Sequence, residues 1–177
     1  MPHVIQTATT GRAKCRGCGE RIASGLLRFG ESLPNPFAEG ETTHWFHLRC
    51  AAFKRPEPFL ETLDAAPEPI PDAERLRAEA KQGLEHRRLP RVSGAERSPS
   101  SQAQCRSCHE RIAKGVWRIP LVFYEEGRFA AAGFIHLPCA RAYLETTDLL
   151  ARLKHFSPAL TDEDLREVQA ELGPSVG

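Results

Sequence analysis

Cys15-Arg16-Gly17-Cys18 is followed, 28 residues after its second cysteine, by His47-Leu48-Arg49-Cys50. Further along, Cys105-Arg106-Ser107-Cys108 is followed after 27 residues by His136-Leu137-Pro138-Cys139. All six cysteines of the chain are then used. A CxxC turn sets two thiolates on one tight knuckle, and an HxxC pair opening a helix sets its two ligands one turn apart on one face. Together they close a tetrahedron around Zn²⁺. Pro138 fits the first turn of such a helix, where no N–H is needed. A redox CxxC competes with this reading but leaves the matched HxxC unexplained. The expectation is two structural zinc ions, one on Cys15, Cys18, His47 and Cys50 and one on Cys105, Cys108, His136 and Cys139. A site filled by four protein ligands has no open position for catalysis.

The repeat extends beyond the ligands. At an offset of 90, CRGCGERIASGLLRF and CRSCHERIAKGVWRI share both cysteines, Glu-Arg-Ile-Ala, a Gly and a later Arg, which marks a duplication. The repeat also selects the histidines. His44 aligns with Gly133 and His109 with Gly19, whereas His47 and His136 match each other. In each copy the HxxC leads through an apolar stretch and a proline-containing break to an amphipathic helix. Thr161-Asp162-Glu163-Asp164 has capping-box spacing, with Leu165, Val168 and Leu172 along one face. In the first copy Asp72 is the expected N-cap, with Ala73, Leu76, Ala80 and Leu84 on one stripe. Residues 87–102, RRLPRVSGAERSPSSQ, lack apolar periodicity and predict a flexible linker spanning about 20–25 Å. The organisation expected is therefore a first finger with its helix over 1–86, a linker over 87–102, and a second finger with its helix over 103–177.

At 177 residues, two domains of this size bury marginal cores and need a staple. The first residues lack the apolar core of a signal peptide, and no apolar run reaches membrane-spanning length. The thiols are therefore read as reduced and intracellular, with no membrane partner. Formal net charge is +1. A zinc with three thiolates and a neutral imidazole carries 2 − 3 = −1, so two loaded sites give 1 − 2 = −1. Such a chain does not coat nucleic acid by bulk electrostatics, and any DNA contact has to be local. Arginine far outnumbers lysine, alanine is abundant and no basic cluster resembles a nuclear localisation signal, hints of a GC-rich genome. The expected location is cytoplasm or nucleoid in a bacterium and nucleus in a eukaryote.

Cys-x2-Cys-x28-His-x2-Cys, with Gly-Arg-Ala before the first Cys, Arg28 ten residues after the second, and His-Trp-Phe-His at the third ligand, resembles the poly(ADP-ribose) polymerase-type zinc finger. The likeness covers nearly the whole chain as two tandem copies and is weaker in the second. It implies small α+β zinc-stabilised domains, each with a small antiparallel sheet and helices, and it implies recognition of DNA strand breaks. In the family, arginines before the first Cys and ten residues after the second contact the DNA backbone, and apolar loop residues stack on the exposed base pair. These map to Arg12, Arg28 and Phe37, although the spacing from Phe37 to His47 is one residue longer than the family's. In the second copy Arg118 matches Arg28, Gln102 stands where Arg12 would be, and Phe129 is the loop candidate, with Val122, Phe123 and Tyr124 as competitors.

Arg12, Lys14, Arg16, Arg21 and Arg28 against a single Glu20 make the opening of the first copy basic. A solvated face is the ordinary reading of such a cluster. The resemblance turns it into a DNA-contact surface that includes Lys14 and Arg16. Trp45 and Trp117, among apolar neighbours, read as core. Phe37 lies in a loop marked by Pro34, Asn35, Pro36 and Gly40. Three function classes follow. The first is a monomeric, noncatalytic module binding DNA with strand breaks, a separate DNA repair enzyme supplying any chemistry. The second is a zinc-stabilised protein-interaction adaptor, which the acidic balance of the second copy favours: nine Arg and Lys against ten Asp and Glu from residue 101 on. The third, an enzyme, fares worst, because no nucleophile with a base, paired carboxylates or phosphate loop stands in a convincing context.

Overall fold

The structure, a computed structural model, describes residues 3–174. It divides into two units. One comprises the chain up to Glu85 together with Tyr124–Phe129, the other His86–Phe123 and the chain from Ala130 onward.

In the first unit, β1 (Val4–Thr7), β2 (Leu27–Pro34) and β3 (Glu41–His47) form an antiparallel sheet in the order β1-β2-β3. Phe29 pairs with Phe46 across β2 and β3, and both are fully buried. Phe29 meets Phe59 edge-on at 5.6 Å between centroids. Next to this pair, Arg28 pairs with His47, so the strand register places an arginine beside a predicted metal ligand. Gly30 pairs with Trp45, and a Cβ there would lie 2.6 Å from the indole ring. Only glycine lets the indole lie this close to the sheet. Helices α1 (Leu48–Lys54), α2 (Pro56–Asp64) and α3 (Ala73–Glu85) close the core, burying Phe53, Phe59, Leu63, Leu76 and Ala80. Each large apolar side chain so buried contributes about 1.5–3 kcal/mol. In α3 the buried stripe runs Leu76, Ala80, Gly83, and the expected Leu84 is 51% exposed. The stripe follows the 3.6-residue period from Leu76, which Gly83 continues and Leu84 overshoots. Asp72, the expected cap, has a left-handed φ of 59° and pairs with Arg75 at 3.5 Å.

In the second unit, β4 (Glu96–Arg97) with β5 (Trp117–Glu125) and β6 (Arg128–His136), apart from the ends of β5 and β6 that fall within Tyr124–Phe129, repeats the sheet in the order β4-β5-β6. The pairing Glu96↔Arg118 reproduces Gln6↔Arg28 ninety residues earlier. The flexible linker expected over 87–102 is corrected here, because most of it is folded. A 3₁₀ turn at Leu89–Arg91 and strand β4 carry Leu89, Val92 and Ala95 into the core beside Ile112, Ile119, Leu121, Ile135 and Leu137. Ala95 N–H donates to Ser157 Oγ at 3.0 Å, and Ser157 O–H returns a bond to Ala95 O at 3.1 Å. Helices α4 (Ala140–Leu144), α5 (Leu150–Phe156) and α6 (Asp162–Leu172) follow. The capping box of α6 is present. Asp164 N–H donates to Thr161 Oγ1 at 3.1 Å, and Thr161 N–H donates to Asp164 Oδ2 at 3.0 Å. Val168 and Leu172 point into the core, with Leu165 half-buried. Among the described residues no helix is long and apolar enough to cross a membrane.

Candidate metal centres and nucleic-acid interface

Cys15, Cys18, His47 and Cys50 converge, as do Cys105, Cys108, His136 and Cys139, with every ligand atom of a set within 4.8 Å of the others. His47 Nδ1 lies 3.4 Å from Cys18 Sγ and 3.9 Å from Cys50 Sγ, and His136 Nδ1 stands at 3.4 and 3.9 Å from Cys108 and Cys139. A tetrahedron with Zn–S of ~2.3 Å and Zn–N of ~2.0–2.1 Å has edges of about 3.6–3.8 Å. The donor sets fit zinc and repeat each other.

The local backbone explains the fit. His47 ends β3, one turn before Cys50 in α1, which begins at Leu48. His136 ends β6, followed by a 3₁₀ turn with Pro138 in its first positions. Cys15 Sγ accepts backbone N–H bonds from Gly17 and His47 at 3.3 Å, and Cys105 Sγ accepts them from Ser107, Cys108 and His136 at 3.3–3.5 Å. Such donors favour the thiolate. For Cys105 burial pushes the pKa upward, but these N–H groups outweigh it and hold the thiol at about 6. The sulfurs of Cys15 and Cys18 raise His47 to about 10 and push the Cys50 thiol above its ordinary range. Negative charge crowded at this spacing calls for a cation among the ligands. Zinc supplies it and holds the two ends of each finger together, so its binding is part of the folding free energy.

The two histidines that the repeat set aside stand outside both clusters. His109 follows the second knuckle with φ 67°, as Gly19 follows the first with φ 80°. Their N–H groups close the turns onto Cys105 O and Cys15 O at 2.9 and 2.8 Å. His44 is buried, and its Nδ1 has no hydrogen-bond partner among the described residues.

The expected DNA-contact residues fall into two groups. Phe37 is 85% exposed in the turn between β2 and β3, and its N–H donates to Asn35 Oδ1 at 2.9 Å, which stiffens the turn. Arg12, Lys14 and Arg16 are exposed. Arg28 is largely buried, its guanidinium 3.6 Å above the Trp45 ring, and its Nε has no hydrogen-bond partner among the described residues. Trp45, read as core, is therefore a half-exposed platform for this arginine. Arg118 stacks on Phe134 at the same 3.6 Å, but its Nε and Nη2 reach Glu96 Oε2 at 2.9 and 2.6 Å and its Nη1 reaches Ser98 Oγ at 3.2 Å. Phe129 is half-buried within the first unit, 6.2 Å edge-on to Phe46 and 4.6 Å from Tyr124.

Sequence reasoning missed a buried polar cluster beside these rings. Glu31 is 2% exposed and accepts from Arg55 Nε and Nη2 at 2.7 and 2.6 Å and from the Tyr124 hydroxyl at 3.3 Å. Burial, then the Glu31 charge, push the Tyr124 hydroxyl up to about 12. No motif marks these residues, and their positions in the chain gave no sign that they meet.

Residues 6–87 match the zinc-finger region of poly(ADP-ribose) polymerase and DNA ligase. This segment belongs to that zinc-finger family, and the second Cys₃His cluster supports a second copy of it. Poly [ADP-ribose] polymerase 1 of Gallus gallus is 31% identical over 137 residues, covering 67% of this chain and 13% of that protein. The polymerases of Sarcophaga peregrina and Drosophila melanogaster are 26% and 25% identical over 136 and 140 residues, covering 67% and 71% of this chain. The chain thus spans only 13–14% of the length of these relatives.

Proposed function

We propose that the chain is a noncatalytic zinc-dependent module, monomeric in solution, that binds DNA at strand breaks chiefly through its first unit and leaves any chemistry at the break to a separate repair enzyme. The observation that carries this reading is Phe37, an aromatic held almost fully in solvent on a stiffened turn of the unit that also presents Arg12, Lys14 and Arg16. An exposed aromatic beside cations suits a base-pair face bordered by phosphates. Arg28, lying on Trp45, adds a cation whose Nε has no hydrogen-bond partner among the described residues. In the second unit Arg118 is neutralised by Glu96, and Phe129, the loop candidate of the second copy, is half-buried against Phe46 within the first unit, so the second unit's own contribution to DNA is weaker. The clamped arginine, with the acidic balance noted above, favours a second reading in which that unit holds a protein.

The test is fluorescence anisotropy over intact, nicked, gapped and blunt-ended duplexes. Preference for broken over intact DNA is expected. Equal affinity for all four would overturn the break reading.

A further inference from the structure

Within the first unit a half-open cleft of about 620 Å³ lies against the Cys15 knuckle. Lys14, Arg16 and Arg128 line it, with Thr43, Trp45 and Phe129, and among the described residues no carboxylate lines it. The three cations are exposed, so none is consumed by the core. The adjoining zinc centre carries −1, which leaves 3 − 1 = +2 around the opening. The aromatic wall is held by neighbours: Arg28 stacks on Trp45, and Phe46 and Tyr124 pack on Phe129. The volume falls within the ~300–1,000 Å³ of small-ligand clefts, too small for a duplex. A bare phosphate has no use for the aromatic wall, and an apolar ligand has none for three cations. A flat base carrying a phosphodiester uses both.

We infer that this cleft holds one unpaired nucleotide of a strand terminus, so that the protein favours breaks with a short flap. The inference rests on the break-binding reading and names its substrate more closely. Arg128 takes the phosphate together with Lys14 and Arg16, while the base lies against Trp45 and Phe129.

The experiment compares a nicked duplex with the same nick bearing a one-nucleotide flap, using the full-length zinc-loaded protein. The flap is expected to tighten binding about tenfold, and Arg128→Glu to reduce the flap-to-nick ratio to about one. Thr43→Trp, which fills the cleft without changing charge, should do the same with zinc content intact. A ratio near one in the unaltered protein, or one untouched by both substitutions, overturns the inference. In a parallel arm, saturable calorimetric binding of deoxyadenosine monophosphate with no flap advantage would assign the cleft to free nucleotides and also overturn it. Nick preference without flap advantage sinks the cleft alone. Flap advantage with equal binding of nicked and intact duplex sinks the break reading and leaves the cleft.

Discussion

Arg118 is clamped by Glu96, with its Nη2 2.6 Å from Oε2, whereas Arg28, the same position of the first copy, stands opposite Gln6 in the matching strand register. One carboxylate separates a neutralised arginine from one that retains its charge. Glu96→Gln keeps an acceptor for the guanidinium but removes the countercharge. The variant should bind broken DNA more tightly and with a steeper salt dependence, by about one counterion. An anisotropy titration across salt concentrations reads the slope. An unchanged slope would show that Arg118 reaches no phosphate even when released.

Elemental analysis should find two zinc ions per folded chain, with His47→Ala losing one and His44→Ala losing none. Because the ligands bind zinc only when deprotonated, acidification and chelators should both strip the metal, and the near-native circular dichroism should be lost with it. Retention of two zinc ions by His47→Ala would break the ligand assignment.

The metal centres were legible because each rests on two sequence-local pairs, CxxC and HxxC, and because the duplication excluded His44 and His109. Phe37 was legible from the prolines, Asn35 and Gly40 around it, which enforce a turn whatever packs nearby. The Thr161 cap was legible for the same local reason. Strand β4 was not. Leu89, Val92 and Ala95 are isolated apolar residues among Pro, Ser and Gly, and their burial depends on a sheet whose partner strand begins only at Trp117. The same long-range pairing hid the Glu96–Arg118 clamp. The packing of Phe129 depends on Phe46, 83 residues earlier, and nothing local signals it.

The folded stretch between the ligand sets gives a direct test. In a flexible linker Leu89→Ala would be silent. Here Leu89 is fully buried in the second unit's core, so its truncation should cost about 2–5 kcal/mol and lower that unit's urea midpoint. An unchanged midpoint would return the segment to a linker.

His44 makes stability depend on pH. Burial lowers its pKa below 6.5, and the nearby Arg16 adds to the effect, against smaller opposing contributions from Glu31 and the Gly127 backbone. As pH falls below 6.5 the unfolded chain takes up the proton first, so it binds more protons than the folded chain. This contribution to stability is full above 6.5 and declines as pH falls towards the folded value. His44→Gln should flatten the dependence of the urea midpoint on pH between about 7 and 5.5, with zinc content monitored at each pH. An equal slope in both proteins would remove His44 as the cause.

Phe37 and Arg28 should fail in different ways. At a nick, stacking is interrupted in one strand, so bending costs far less than the several kcal/mol needed for an intact site, and a base-pair face becomes accessible. Stacking the exposed Phe37 ring on that face contributes roughly 1–3 kcal/mol. Phe37→Ala should therefore weaken binding to nicked DNA by about tenfold to a hundredfold and leave the weak binding to intact duplex nearly unchanged. Phe37 lies at 85% exposure, so its loss costs the fold little. Arg28 carries no information about the break through a phosphate contact alone, so Arg28→Ala should weaken both substrates and reduce the salt slope by about one. Its stack on Trp45 is also lost, which makes thermal stability and zinc content necessary controls. If Phe37→Ala instead weakened nicked and intact DNA equally, with zinc retained, the aromatic would not be what distinguishes a break from a continuous duplex.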